Sequence, residues 1–353
     1  MSFFKNHSNW PLVALKDVAT LKRGYDLPTK NRVEGDVPIY AANGINGSHN
    51  EVKIMGPGVI TGRSGTIGKV HFTDQDYWPL NTSLYVTDFH GNNPKWVFYM
   101  LRAFQLERFV EGAGVPTLNR NLVHDELIPL PPLEEQKRIA AILDKANAIR
   151  QKRKQAIDLA DEFLRSVFLD MFGDPLDPNS KVMTLPMTEV FNITTGKLNS
   201  NAAVEGGQYP FFTCAKEIFA IDDYAFEQEA LLLAGNNAQA DYDVKHFSGK
   251  FNAYQRTYVL TLKDEQQSYP FYKFALEYQL KNLKRFSKGS NTKYITMEIM
   301  ERTMLPVPSN TLQHEFVQKY SKKAELLKSY SLQADFLNSN FNSLSQKAFS
   351  GQL

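Results

Sequence analysis

The chain has very little cysteine and no long apolar run. A single thiol, Cys214, among 353 residues excludes a disulfide scaffold and a cysteine-rich zinc site. No stretch approaches the roughly 18 apolar residues that a membrane helix needs. The first residues carry no apolar segment of signal-peptide length. We therefore expect a cytoplasmic globular protein with no membrane partner, long enough for two or three domains.

The chain also lacks an excess of charge and a complete nucleotide-binding motif. Its 40 Lys and Arg and 38 Asp and Glu give a net charge of +2, too small to predict nucleic-acid binding by itself. Residues 60–72 are glycine-rich, but a phosphate-binding loop would need glycine at position 63 and a hydroxyl at position 70. The sequence has Arg63 and Val70 there. A dinucleotide-binding pattern that begins at residue 112 is interrupted by Thr117.

Catalytic motifs are absent as well. The seven histidines show no spacing typical of a metal site. Neither an amino-methyltransferase motif nor a pair of carboxylates in an acid–base arrangement occurs. We expect no catalytic residue, metal or cofactor in this chain. A self-contained methyltransferase or nuclease stays open as an alternative, because missing motifs are weak arguments.

The two halves of the sequence resemble each other in order. The matched segments are 13–24 with 185–196 at a shift of 172, 60–63 with 233–236 and 84–86 with 257–259 at a shift of 173, and 128–131 with 305–308 at a shift of 177. Shifts that drift slowly in one direction are typical of a tandem repeat with small loop insertions.

Each copy combines a mixed globule with a long helix. Short strand-like runs, polar loops and one amphipathic helix (94–109 and 270–286) are typical of a mixed α/β domain. The long helices contain no proline or glycine before Gly173 and Gly351, which predict their ends. The fold class is therefore α+β. The predicted domains are 1–132, 133–173, 174–309 and 310–353.

Both long helices carry an apolar stripe whose spacing alternates between three and four residues, as in a coiled coil. About 38 residues would form a rod of roughly 55 Å. We predict that the helices pair as an antiparallel coiled coil with a pseudo-two-fold relation between the copies. Packing of each helix onto its own globule is the alternative. The expected helix–helix or partner contacts are Ile139, Ile142, Leu143, Ile149, Phe163, Leu164, Val167, Leu327, Tyr330, Leu337, Phe341 and Leu344.

The ends of the two long helices resemble one protein family. The runs are Leu130-Pro131-Pro132-Leu133-Glu134-Glu135-Gln136 and Gln346-Lys347-Ala348-Phe349-Ser350-Gly351-Gln352-Leu353. They resemble the conserved helices of type I restriction–modification specificity subunits, and residues 63–70 resemble a loop of their target-recognition domains. The resemblance covers essentially the whole chain, including the repeat order, although residues 307–313 depart from the pattern.

This resemblance implies a non-catalytic subunit that recognises a bipartite DNA sequence. The two globules would be target-recognition domains that each read one half-site of double-stranded DNA. The helices would fix their separation and dock two methyltransferase subunits, and restriction subunits would join in systems that also cleave. The resemblance places the S-adenosylmethionine, ATP and Mg²⁺ sites in those partners.

Two loops at equivalent places in the copies carry different polar side chains, as modules that read different half-sites would need. Arginine pairs with guanine, and asparagine or glutamine pairs with adenine, through two hydrogen bonds. Phosphate contact and a purely structural turn are the alternatives. The candidates are Arg63, Ser64, Thr66 and Lys69 in the first loop, and Asn236, Asn237 and Gln239 in the second.

Cations near these loops are candidates for phosphate contact. The densest patch, residues 281–293, holds five cations and no acid, and a solvated helix end is its alternative reading. Arg256 is equally compatible with an ion pair inside the chain. Arg150 and Arg153 lie on the stripe of the first long helix and could face solvent, acids, a partner or DNA. The further candidates are Lys284, Arg285, Lys288, Asn291, Lys293, Arg108, Arg120, Lys245 and Arg256.

A coiled-coil scaffold without a DNA role is the main rival of a different class. The polar loops at matching places in both copies favour DNA recognition, because a scaffold has no need for such variation.

Overall fold

The computed structural model describes residues 2–112, 114–175, 177, 183–237 and 242–353, without the side chains of 322–324, 326–328 and 331. The chain forms two compact units. Unit 1 comprises Met1–Gln155 and Tyr330–Leu353, and unit 2 comprises Ala156–Ser329. Each unit therefore contains one globule together with parts of both long helices.

Unit 1 is a mixed α/β globule. Its strands are β1 (Leu12–Ala14), β2 (Thr20–Arg23), β3 (Val37–Ala41), β4 (Gly44–His49), β5 (Gly58–Gly62), β6 (Val70–Thr73), β7 (Trp78–Pro79), β8 (Ser83–Asp88), β9 (Val110–Glu111), β10 (Thr117–Leu118) and β11 (Leu127–Pro129). Its helices are α1 (Pro94–Ala103), α2 (Arg120–His124) and the first part of α3 (Leu133–Phe172). The main sheet has the order β2-β8-β5-β6, and a smaller one has the order β4-β3-β7. The main core lies between the larger sheet, α1 and the long helices.

Unit 2 has the same plan with a larger sheet. Its strands are β12 (Thr184–Pro186), β13 (Phe191–Thr195), β14 (Tyr209–Phe212), β15 (Phe219–Ile221), β16 (Phe226–Ala234), β17 (Asn236–Asn237), β18 (Val244–Ala253), β19 (Thr257–Leu262), β20 (Lys293–Tyr294) and β21 (Met304–Pro306). Its helices are α4 (Met187–Val190), α5 (Tyr269–Phe286), α6 (Met297–Arg302) and the first part of α7 (Asn310–Phe349). Unit 2 also contains the last part of α3, and unit 1 contains the last part of α7. The sheet order is β13-β19-β16-β18-β14-β15. The long strand β18 pairs with β16 and with β14, and so joins what are two sheets in unit 1.

The hydrogen bonds of the two units align the copies of the repeat. Leu12 pairs with Pro129, and Thr184 pairs with Pro306. These pairs agree with the predicted shifts of 172 at the start of each globule and 177 at its end.

The predicted shift of 173 for the central strands is wrong. The Arg63 N–H donates to Thr82 O (2.8 Å), and the Gly235 N–H donates to Arg256 O (2.9 Å). These two bonds are equivalent only at a shift of 172 for β5 and 174 for β8.

The burial of β5 and β16 gives the physical reason for the corrected shift. Val59 and Leu231 lie in the main core of their units, whereas Ile60 and Leu232 lie in a smaller cluster on the opposite face. A shift of 173 would match Val59 with Leu232. Because side chains alternate along a strand, a slip of one residue exchanges the two faces.

A buried glutamine ties each long helix to its globule. Gln136 accepts a hydrogen bond from the Asn93 N–H (2.9 Å), and Gln313 accepts one from the Ser268 N–H (2.9 Å). Each glutamine also donates to the backbone carbonyl five residues before it (3.0 Å). Asn93 and Ser268 are the N-cap residues of α1 and α5. The glutamines therefore fix the start of the amphipathic helix against the start of the long helix.

The long helices end where the glycines predict. Gly173 has a φ of +67° and Gly351 a φ of +72°, in the left-handed region that glycine favours after a helix. Helix α5 agrees with the predicted 270–286. Helix α1 is shorter than the predicted 94–109, because Gln105 adopts a left-handed conformation and a short 3-10 turn follows it.

In unit 1, the predicted stripe is the buried side of α3. Ile139 and Leu143 are fully buried. Arg150 lies over the Phe341 ring at 4.4 Å, and Arg153 lies over the Tyr330 ring at 4.3 Å. The two stripe arginines therefore contact aromatic rings of α7. Ile142, Tyr330, Leu337 and Leu344 are half-buried.

In unit 2, Leu164 is buried and Val167 half-buried. The ring centroids of Phe168 and Phe172 lie 5.6 and 5.5 Å from that of Phe316 on α7.

Two stripe residues lie largely outside the buried side of α3, and their predicted contact with a partner stays a prediction. Ile149 and Phe163 are each 55% exposed, because each immediately precedes a stripe residue and one step along a helix rotates a side chain by about 100°. The side chain of Leu327 lies outside the described residues.

Candidate nucleic-acid interface

Three segments of unit 2 meet at one exposed edge. Strand β17 pairs with β20, so that Asn236 lies opposite Tyr294 and Asn237 opposite Lys293. The Gly235 N–H donates to Arg256 O (2.9 Å), which brings the turn before β19 to the same edge. The candidate DNA contacts on these three segments therefore lie close together, although they are far apart in sequence.

These segments surround an open cavity of about 360 Å³. Six of the side chains that line this cavity form what we call the unit 2 platform: Thr195, Asn236, Gln255, Arg256, Tyr294 and Met297. The platform offers amides, an arginine, an aromatic ring and a thioether to one ligand surface.

The platform side chains are available for contact. Gln255 and Arg256 are exposed, and Tyr294 is 40% exposed. Within the described part of the chain, the Arg256 guanidinium has no hydrogen-bond or ion-pair partner, so the internal ion pair that the sequence left open is not formed there. The Gln255 Nε2 donates to Asn199 Oδ1 (2.7 Å), which leaves its carbonyl oxygen free to accept. Arginine and amide groups of this kind can read base edges.

The predicted basic patch spans the last turn of α5 and the segment that leads into β20 and the platform. Lys284, Arg285 and Asn291 are exposed, and Lys293 lies on β20. Lys288 is engaged, since its Nζ donates to Glu298 Oε2 (2.6 Å). This lysine, and then Arg302, hold the pKa of the Glu298 carboxyl below its usual value.

The glycine-rich loop of unit 1 is a tight turn. Gly65 and Gly68 have φ of +87° and +86°. A Cβ on Gly62 would lie 1.7 Å from Thr66 O, so this position requires the close backbone approach that only glycine permits. Arg63 and Ser64 follow the carboxyl end of β5, where Ser64 bridges to Thr117.

The loop side chains of unit 1 differ in their freedom. Among the residues that the structure describes, Arg63 has no side-chain partner, and Thr66 is half-buried. The Lys69 Nζ donates to Asn43 Oδ1 (2.6 Å). Lys69 lines a separate cleft of about 870 Å³ that also contains His71 and Arg102.

Two predicted DNA contacts are engaged inside the chain instead. Lys245 is only 13% exposed and pairs with Asp243 (2.9 Å). Its Nζ also donates to Ala215 O (2.8 Å). The Arg108 guanidinium lies 3.8 Å from the Phe3 ring centroid and donates to backbone carbonyls. Neither cation is free to reach a phosphate without breaking these contacts.

Arg120 is exposed at the start of α2, and its Nη1 approaches Leu21 O at 3.4 Å. At the other end of α2, the Leu21 N–H donates to His124 Nε2 (2.9 Å). Burial, and then the nearby Arg120, lowers the pKa of His124, which keeps this nitrogen unprotonated and able to accept.

Gln239 lies outside the described residues. The sequence predictions missed Gln255, Tyr294 and Met297. Gln255 had a local signal, since it adjoins Arg256. Tyr294 had the same kind of signal, since it adjoins Lys293, whereas Met297 had none.

Within residues 2–112, 114–175, 177, 183–237 and 242–353, no group of three or more His, Cys, Asp or Glu side chains could hold a metal ion. No helix in the same ranges is long and apolar enough to cross a membrane.

Comparison with known proteins identifies the family. The family model of the type I restriction modification DNA specificity domain matches residues 7–159 and 179–331. Because these two matches cover most of the chain, the protein belongs to the type I restriction–modification DNA specificity family.

Individual relatives agree with this assignment. The chain is 23% identical over 334 residues to a putative type I specificity subunit, S.MpnORF638P of Mycoplasma pneumoniae, with 88% of each chain covered. It is 37% identical over 139 residues to the EcoDI specificity subunit of Escherichia coli, over 38% of this chain and 30% of that one. The chain thus matches about a third of the length of the EcoDI subunit. A crystal structure of the S subunit from M. genitalium has the same fold, with a TM-score of 0.66 at 18% identity over 98% and 97% of the two chains.

Proposed function

We propose that the chain is the DNA sequence-specificity subunit of a type I restriction–modification complex and that each unit reads one half of a bipartite target. The observation that carries the proposal is the repeated site. The same backbone hydrogen bonds build one exposed edge in each unit, whereas the side chains on the two edges differ. Modules that meet DNA in one geometry and read different bases need this combination.

The free cations around the sites would contact phosphates. Lys284, Arg285 and Lys293 are close in sequence to the unit 2 platform, and none is ion-paired to an acid among the described residues. The net charge of the whole chain is only +2. Few phosphates can be neutralised by such a chain, so it binds DNA weakly when alone, and added salt weakens this binding further. Tight, sequence-specific binding at physiological salt without partners would contradict this.

The long helices act as the spacer between the half-sites and pair as an antiparallel coiled coil. The contacts that support this are Arg150 with Asn338 (2.8 Å) in unit 1 and Phe172 with Phe316 (5.5 Å between centroids) in unit 2. The earlier part of α3 thus meets the later part of α7, and the later part of α3 meets the earlier part of α7.

Partner subunits dock on the outer faces of the long helices and supply catalysis. Ile149 and Phe163 on α3, and Leu332 and Phe336 on α7, are more than half exposed, which suits apolar protein contacts. The partners are two methyltransferase subunits and, in a system that cleaves, restriction subunits. S-adenosylmethionine, ATP and Mg²⁺ bind to those partners, and this chain is non-catalytic.

Neutralisation of the basic patch tests the DNA role. We expect Lys284→Gln with Arg285→Gln to weaken binding to duplex DNA of any sequence, and to lower the slope of log K against log salt by about one unit per removed cation. The measurement is a salt titration of DNA binding by fluorescence anisotropy. Lys250→Gln with Lys263→Gln is the matched control, because these exposed cations of unit 2 are already paired with Glu227 and Glu189. Unchanged binding in a folded Lys284/Arg285 variant would favour the scaffold function instead.

A further inference from the structure

The corrected repeat alignment matches each residue of the unit 2 platform with a residue of unit 1. The Ile295 N–H donates to Gly235 O (2.9 Å), and the Leu118 N–H donates to Arg63 O (2.8 Å). Asn236 pairs with Tyr294 as Ser64 bridges to Thr117. These bonds match at shifts of 172 for the loop and 177 for the hairpin strand, so every platform position has a counterpart in unit 1.

Two of the counterparts are arginines, and a third arginine replaces Gly235, which lines the same cavity. Arg23 takes the place of Thr195, since Arg23 faces Leu84 and Thr195 faces Tyr258 in the equivalent strand pairs. Arg63 takes the place of Gly235. Arg120, the first residue of α2, takes the place of Met297, the first residue of α6.

The positive charges of the three guanidinium groups are little neutralised by acidic groups of the chain. Arg63 has no side-chain partner in the described ranges. The Arg23 Nη2 lies 3.9 Å from Asp26 Oδ1, with the two side chains 52% and 72% exposed. Among the residues with described side chains, the Arg120 Nη1 reaches only the carbonyl of Leu21, two residues before Arg23. The loop, the end of β2 and the start of α2 thus present a surface that is rich in free guanidinium groups.

The two surfaces suit different bases. A guanidinium group donates two parallel hydrogen bonds to O6 and N7 of guanine, whereas an asparagine or glutamine amide pairs with N6 and N7 of adenine. Unit 1 offers three arginines and one amide, Asn81, whose Nδ2 donates to Asp26 Oδ1. Unit 2 offers two amides, Asn236 and Gln255, with one arginine. Met297 and Tyr294 add apolar surface of the kind that contacts the thymine methyl group.

We propose that unit 1 recognises its half-site through guanines, with Arg23 as an additional base-reading residue, and that unit 2 recognises a half-site dominated by A·T pairs. The inference rests on the proposed function, since it assigns bases to the surfaces that this function requires.

Selection from a random library tests the inference. The full chain, assembled with its methyltransferase subunits, selects duplexes with two randomised half-sites, and the bound DNA is sequenced. We expect one half-site to prefer guanine and the other to prefer A·T pairs. Arg23→Lys keeps the positive charge but removes the planar fork. It should reduce the guanine preference at one position of the first half-site by roughly 5- to 150-fold and leave the second half-site unchanged.

The variants separate base reading from other roles of Arg23. Arg23→Lys should retain binding to non-specific DNA, whereas Arg23→Gln should lose part of it. Lys22→Gln is the matched control, because Lys22 is exposed and projects from the opposite face of β2. Unchanged guanine preference in both Arg23 variants, or a wild-type first half-site without guanine, would overturn the inference. A wild-type complex without any half-site preference would instead contradict the proposed function.

Discussion

Gln136 makes hydrogen bonds through both atoms of its side-chain amide inside unit 1. Its Nε2 donates to Asn92 Oδ1 (2.8 Å) and to Pro131 O (3.0 Å), and its Oε1 accepts from the Asn93 N–H. The residue is only 2% exposed. The Pro-Pro-Leu-Glu-Glu-Gln run therefore ends in a residue that joins the globule to the spacer helix.

We predict that Gln136→Leu lowers the free energy of unfolding by about 1–3 kcal/mol, because it removes the partner of the Asn93 N–H and of Asn92 Oδ1. Chemical unfolding followed by circular dichroism measures the change. Gln151→Leu is the matched control on the same helix, since Gln151 is exposed, and we expect a change within about 0.5 kcal/mol. Equal midpoints for the two variants would show that these hydrogen bonds contribute nothing to stability.

Residue type alone predicted part of the candidate site. Arg63, Asn236 and Arg256 were identified because few side chains can read a base edge. The prediction of Lys245 as a DNA contact was wrong. Lys245 forms an ion pair with Asp243, and only the folded backbone brings the two side chains together. Arg23 could not be identified, because its place in the site depends on a strand register that the sequence does not give.

At the scale of elements, the long helices were predictable and the central strands were not. A helix of 40 residues without proline or glycine repeats its apolar spacing over many turns, and this repetition makes it predictable. In β16, by contrast, residues 230–234 are all buried, on both faces of the sheet. Continuous burial removes the alternation of apolar and polar residues that would set the register. The predicted shift of 173 is the average of the observed 172 and 174.

We predict that four residues inserted into both α3 and α7 lengthen the DNA spacer and leave both half-sites unchanged. Four helical residues add about 6 Å, which corresponds to one or two base pairs at roughly 3.4 Å each. Selected or methylated sequences of the variant complex report the spacing. Four residues inserted into the exposed turn at 264–267 should leave the spacing unchanged. Lengthened helices with the original spacing would refute the spacer role.

At the scale of the whole molecule, the sequence predicted the repeat and the family. The order of globule and helix is read directly from apolar periodicity and glycine positions, and the family model matches both copies. The division into units was not predictable, because both boundaries fall inside long helices, at Gln155 and Tyr330. The last part of α7 belongs to unit 1 although it is distant in sequence, since Phe341, Ala348 and Phe349 lie in the unit 1 core.

The most direct test of the account is the methylome of the host cell, read by single-molecule sequencing with and without this gene. We predict that deletion removes methylation from one bipartite motif, and that this motif contains a guanine-bearing half and an A·T-dominated half. An unchanged methylome in cells that express the methyltransferase subunits would contradict the specificity role.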